Sequence, residues 1–317
     1  PSGAVYERPH ETDRIALRRD VTPHRWFDQR WPVRVTRLRH VLQVMYVDRL
    51  LGDLIDRLKA VDMYDHALIV ITSDHGHSVA PGRPRGVIVE ENLHEFLWVP
   101  LLIKAPGQKD GVVVDANVTA PDLLPTLAEH LGTRVPWVMD GSSALDPNAA
   151  RGPTKTVTRY DDIPRLRLPT GPISIRIDEA WRRFRAEWFR ATDRLGGPYG
   201  LGPAGGSIGE SIDSFPRADR PAAFARLDGE LRFDRVDSER GSIPGLLSGT
   251  LDAGTVRGAI VASLNGRIAG YSPLFRLGGG GPLRFMFLLP ERLFRSGGND
   301  LDLFLMRDGV LHPLAIR

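Results

Sequence analysis

The stretch Ala67-Leu68-Ile69-Val70-Ile71-Thr72-Ser73-Asp74-His75-Gly76-His77 constrains this chain more than any other. A short apolar run rich in β-branched residues reads as a strand buried on both faces. It stops abruptly in a polar cluster that holds a carboxylate, two imidazoles and a glycine. Ligands and metals collect at the carboxyl ends of strands in an open parallel sheet, so Asp74 and His75 are placed there to bind divalent cations. Gly76 lets the backbone turn sharply and leaves room for a substrate. A lone Asp-His-Gly tripeptide carries little weight, and the motifs C-terminal to it decide its reading.

Three further motifs come after it in order. Val99-Pro100-Leu101-Leu102-Ile103-Lys104-Ala105-Pro106-Gly107 is a second buried strand with a Pro-Gly stop. Thr119-Ala120-Pro121-Asp122-Leu123-Leu124-Pro125-Thr126-Leu127 opens a helix with a capping hydroxyl, a proline in the first turn and an acid near the positive helix end, and Gly132 closes it. Asp140-Gly141-Ser142-Ser143 then forms a turn. Both of these later segments read as architecture.

This ordered series resembles the sulfatase branch of the alkaline phosphatase superfamily, and most of all the sulfatase-like ectodomains of actinobacterial membrane proteins. In that family an oxygen nucleophile attacks the sulfur or phosphorus of an ester, while a divalent cation holds the nucleophile and the substrate oxygens. The resemblance carries Asp74 and His75 over as metal ligands, with calcium as the first expected ion and manganese, magnesium or zinc as alternatives. The family nucleophile is a formylglycine made from Cys or Ser in sulfatases, and a Thr or Ser in phospho-group transferases. It sits early in the domain, beside a further acidic ligand. The chain has no cysteine. No catalytic residue is therefore assigned within it, and the nucleophile is expected upstream. Alone, the chain is expected to bind metal weakly and not to turn over.

Between the two strands lies a loop stiffened by Pro81, Gly82 and Pro84 that carries Arg83 and Arg85. Two guanidinium groups there can clamp the non-bridging oxygens of a sulfate or phosphate group. The family commonly places a lysine or another cation in this segment, so the position fits although the residue type departs. His77 joins them as a substrate-contacting residue that covers the mouth of the site. His10 and His24 read as ordinary surface histidines, and His94 as part of a solvent-exposed basic loop.

Composition narrows the class. Hydrophobic residues make up 42% of the 317 and charged residues 26%, an ordinary globular balance for a chain long enough for two cores. The net charge is +3, with no Lys/Arg run interleaved with aromatics, so nucleic acid is not an expected partner. The absence of cysteine excludes disulfides and thiolate metal sites. No apolar run approaches the roughly twenty residues that span a bilayer. The start at Pro1, without Met or signal-like segment, suggests an excised piece of a longer protein.

The expected fold class is α/β: a partial alkaline phosphatase-like sheet with flanking helices, followed by a small all-β, sandwich-like domain. Residues 1–150 are the C-terminal part of the sulfatase-like domain, 151–213 a helix and a Gly/Pro-rich linker, and 214–317 the β-domain. Val35 to Ala60 carries apolar residues at three-and-four spacing, a helix with one buried face, and it reads as half of a parallel βαβ crossover. Ile177, Trp181, Phe184 and Trp188 form an aromatic stripe at helical spacing. Asn265-Gly266 and Asp308-Gly309, each between alternating runs, predict two hairpins.

The readings are a metal-dependent sulfuric- or phosphoric-ester hydrolase, a phosphoethanolamine- or phosphoglycerol-type transferase of the same superfamily, and a non-catalytic ectodomain that binds an envelope glycan or partner. The resemblance implies an anionic ester substrate, attached to an envelope glycan or lipid. It also implies an extracytoplasmic location, with membrane attachment through upstream segments.

Overall fold

The computed structural model describes residues 5–6, 17–18, 25–146, 148–159, 171–179, 182, 199, 205–237, 242–253, 256–277 and 280–317. His10, His24 and the aromatic stripe beyond Ile177 lie outside these residues. The first elements are β1 (Val5–Tyr6), β2 (Leu17–Arg18), β3 (Arg25–Trp26), α1 (Arg30–Ala60), β4 (Ile69–Thr72), α2 (Leu93–Leu97), β5 (Leu101–Lys104) and α3 (Leu123–His130). They are followed by β6 (Thr154–Arg159), β7 (Gly171–Arg176), β8 (Ala223–Leu227), β9 (Ser242–Ile243), β10 (Leu246–Asp252) and β11 (Ala259–Leu264). The last strands are β12 (Arg267–Pro273), β13 (Leu283–Leu288), β14 (Leu301–Arg307) and β15 (Val310–Ile316). The chain is mixed α/β and divides into two compact units that interleave along the sequence. One comprises 1–49, 79–85 and 192–317, and the other 50–78 and 86–191. No described helix is long and apolar enough to cross a membrane.

The first unit is built on a seven-stranded sheet in the order β12-β11-β14-β15-β8-β10-β13. Both expected hairpins form. Asn265 and Gly266 take φ of 53° and 76°, and Asp308 and Gly309 take 51° and 79°, the left-handed pairs that a two-residue turn requires. The sheet is not the expected stack of two separate layers: its strands join in one sheet that curls until the end strands meet. Phe275 and Arg284 exchange two backbone hydrogen bonds of 3.0 and 2.8 Å, and the Met286 N–H donates to Ser272 Oγ at 3.0 Å. Strand alternation puts successive side chains of β10 and β13 on opposite faces, and both faces are buried. Leu247, Leu251, Phe285 and Phe287 point into one core, while Leu246, Met286 and Leu288 pack on Trp31, Val35, Leu38 and Leu42 of α1. Trp31 Nε1 donates to the Met286 carbonyl at 2.8 Å and pins the helix to the sheet.

Helix α1 starts earlier than its apolar spacing predicts, at Arg30, and takes Pro32 into its first turn, where the missing N–H has no intrahelical partner to lose. The single buried face expected along its whole length is realised only as far as Leu42. Met45, Leu50 and Leu54 are exposed, because the sheet side chains that cover the helix end at that point.

In the second unit, β4 and β5 pair antiparallel, Ile69 opposite Lys104 and Thr72 opposite Leu101. The expected parallel, doubly buried arrangement is thus corrected: among the described residues each of these strands has a single hydrogen-bonded neighbour, and each stays half-exposed. Apolar content reports burial and is silent on strand direction. The register has a local cause. Lys104 Nζ donates to the carbonyls of Tyr64, Asp65 and Ala67, just ahead of β4, which locks the end of β5 against its start.

Asp122 is the hub of this unit. Its carboxylate accepts from Thr119 N at 2.7 Å, Thr119 Oγ1 at 3.0 Å, Ser142 N at 2.8 Å and Arg151 Nη1 at 2.7 Å. Arg151 Nη2 donates onward to the Ser142 and Ser143 carbonyls. Gly141 is needed here: a Cβ would sit 2.3 Å from the Pro121 backbone. The start of α3 and the Asp-Gly-Ser turn, read separately in the sequence, are one structural knot.

Candidate metal centre

Strand β4 ends at Thr72, and the chain turns at once through Ser73 and Asp74. The Ser73 hydroxyl donates to the His75 carbonyl at 2.9 Å and to Asp74 Oδ1 at 3.3 Å. The His75 backbone N–H also donates to Asp74 Oδ1, at 2.8 Å. These bonds hold one carboxylate oxygen inward and leave Oδ2 outward. Donation from the His75 N–H, then the imidazole beside it, lowers the Asp74 carboxyl pKa from its ordinary value, so the group is a ready anion.

His75 Nδ1 lies 2.7 Å from the Gly76 carbonyl oxygen. A carbonyl only accepts, so this contact places the proton on Nδ1 and leaves the neutral ring with its lone pair on Nε2. Nε2 is 3.7 Å from Asp74 Oδ2. Asp74 and His75 would hold a divalent ion through a carboxylate oxygen and an imidazole nitrogen, and the ion would supply positive charge at the end of β4. Both side chains are open to solvent, His75 at 64% and Asp74 at 84% of full exposure. A carboxylate and an imidazole therefore fit a divalent cation as two ligands. Among the described residues, no cluster of three or more His, Asp or Glu forms.

His77 is half-buried, with its ring edge-on to Phe96 at 6.4 Å. Asp74, His75 and His77 share one short segment of the second unit, whereas Arg83 and Arg85 belong to the first. There Trp26 N donates to the Arg83 carbonyl at 3.0 Å, and the exposed Arg85 guanidinium lies 5.7 Å over the Trp26 ring. A guanidinium over an indole face is a favourable cation–π pair that fixes the direction of the side chain.

Sequence reasoning missed the residues that support the loop. The Gly76 N–H donates to the Phe96 carbonyl at 2.9 Å, and a Cβ on Gly76 would lie 1.8 Å from the Glu95 carbonyl oxygen. Gly76 is thus required for close approach to α2, beyond its role in the turn. Should the Asp74–His75 pair take up a divalent cation, Gly76→Ala would push the loop off α2 and weaken that uptake about tenfold or more, checked by calorimetric titration beside circular dichroism. Unchanged affinity in a folded variant would refute the need for close approach. Glu95-Phe96 stands between the Arg83/Arg85 loop and the second strand motif, and no local signal marks it. Trp26 stands in a Pro- and Arg-rich segment with no period.

Residues 21–133 match the family model described as Sulfatase, about a third of the chain, from just before β3 to the end of α3. Neither the curated proteins nor the solved structures contain a match.

Proposed function

We propose, from the sulfatase-family segment at residues 21–133, that this chain carries part of the metal site of a sulfuric- or phosphoric-ester hydrolase. The observation that carries the reading is the Asp74–His75 pair, with Oδ2 and Nε2 both open at the end of β4. When bound, the divalent cation supplies charge neutralisation at the ester oxygens. The chain's own residues do the rest. Asp74 and His75 hold the ion, Ser73 and the His75 N–H orient the carboxylate, and the Gly76 carbonyl keeps the His75 proton on Nδ1. His77 is the proposed polar contact for the anionic group of the ester, and Arg83 and Arg85 stand as candidates by sequence position only.

Of the four expected ions, an imidazole ligand suits zinc better than calcium, magnesium or manganese, which prefer oxygen, and manganese serves as the ion whose binding is read directly. The nucleophile is proposed to lie outside this chain. An envelope glycan or lipid ester as substrate, and an extracytoplasmic place at the membrane, rest on the family resemblance. Manganese titration of the whole chain, read by electron paramagnetic resonance, tests the reading. Wild type should take up Mn²⁺, and Asp74→Asn should bind it at least tenfold more weakly. Equal uptake by the two would refute the site. No turnover of 4-nitrophenyl sulfate or bis(4-nitrophenyl) phosphate is expected from the chain alone. A rate that disappears in Asp74→Ala would overturn that expectation and place the chemistry inside these residues.

A further inference from the structure

His75 is largely exposed, yet a metal ligand must hold one ring orientation, and an exposed imidazole spends rotamer freedom when it is fixed. Its Nδ1 contact to the next residue's carbonyl is one constraint. The second is aromatic. The Phe96 ring stands 6.3 Å from the His75 ring at a tilt of 35°, and 6.4 Å from the His77 ring at 71°. Phe96 itself is only 5% exposed. Between the two imidazoles, the Gly76 N–H is bonded to the Phe96 carbonyl and its α-carbon lies against the Glu95 carbonyl. Three consecutive residues of the loop are therefore referenced to one residue of α2.

That residue is in turn fixed from below. Helix α2 is five residues long and too short to be stable by itself. Its Leu93, 1% exposed, packs on Ile173 and Ile175 of β7, with Ile88, Leu97, Trp98 and Val157 around them. The β6–β7 hairpin lies outside the 21–133 segment, so residues beyond that segment seat the helix that carries Phe96.

We infer that Phe96 is a positioning residue that sets the ring orientation of both His75 and His77, and through His75 the affinity of the cation pair. The inference rests on the metal-site reading for its consequence and on the ring geometry alone for its cause. Support of this kind around metal ligands typically changes affinity about 10–100-fold.

The experiment uses the whole chain, with histidine-labelled NMR spectra at fixed pH and Mn²⁺ titration side by side. Phe96→Leu keeps an apolar side chain in the buried site and removes the ring, while Phe96→Tyr restores the ring. In Phe96→Leu, the His75 and His77 ring resonances should move to free-imidazole positions and Mn²⁺ affinity should fall at least tenfold. Phe96→Tyr should keep both. Unchanged ring resonances in a folded Phe96→Leu would overturn the inference, whatever the metal result. Ring resonances that move in a chain with no Asp74-dependent Mn²⁺ uptake would uphold the positioning role and refute the metal-site reading instead.

Discussion

Replacing Asp122 by alanine is expected to cost the second unit roughly 3–5 kcal/mol, the usual effect of removing one partner of a buried ion pair. The Asp122 and Arg151 side chains are 7% and 11% exposed and lie 2.7 Å apart. Truncation leaves a buried guanidinium without its anion, and strands the Thr119 and Ser142 N–H groups that the carboxylate now satisfies. Differential scanning calorimetry should record a melting transition lowered by on the order of 10 °C. A drop of a degree or two would mean that water replaces the carboxylate and that the knot is not a hub. The double variant Asp122→Leu with Arg151→Met should recover part of the loss, since no buried charge is then left unpaired.

The same group predicts a pH dependence. Burial raises the Asp122 pKa, but donation from the Ser142 and Thr119 N–H groups and from Arg151 outweighs it, and the net value is lowered. A carboxyl depressed in the folded state contributes stability that is present above its unfolded pKa, about 3.9. That contribution is lost as pH falls through the folded value. The wild-type transition should therefore decline on acidification below about pH 4. Asp122→Asn should show a shallower acid limb, and identical limbs would remove the assignment.

Phe285→Ala is expected to destabilise the first unit by about 3–5 kcal/mol, the range for emptying a buried aromatic site. Phe285 is fully buried, packs against Phe287 with ring centroids 5.6 Å apart, and fills the space above Gly249. An ideal Cβ on Gly249 would lie 2.6 Å from the tip of the Phe285 ring and 2.3 Å from the Arg226 carbonyl oxygen. The neighbouring strand therefore cannot supply a side chain to fill the hole, and the backbone around it is held by two ladders. Denaturant unfolding should show the loss as a lower midpoint with an unchanged slope. A loss under about 1 kcal/mol would show that the curled sheet collapses onto the cavity.

Much of the local structure is legible in the amino-acid sequence. The two left-handed dipeptides Asn265-Gly266 and Asp308-Gly309 placed both hairpins, because few other residue pairs tolerate that backbone. Thr119, Pro121 and Gly132 bounded α3 for equally local reasons. The Ser73–His77 segment was recognisable through the ordered motifs that follow it, since an Asp-His-Gly tripeptide by itself carries little weight. What misled was apolarity at longer range. The run Ala67–Ile71 looks doubly buried, yet β4 is a half-exposed strand paired antiparallel, and Met45, Leu50 and Leu54 of α1 are open.

The sequence by itself therefore determined the hairpin turns and the strand and helix types, all of which depend on contacts within a few residues. The tertiary structure decided strand direction, the single curled sheet, the Asp122–Arg151 knot and the seating of Gly76 on Phe96. Each of these joins residues about twenty or more apart, as Gly76 and Phe96 are. Such pairings depend on which surfaces meet after the chain closes, and no local propensity encodes that choice.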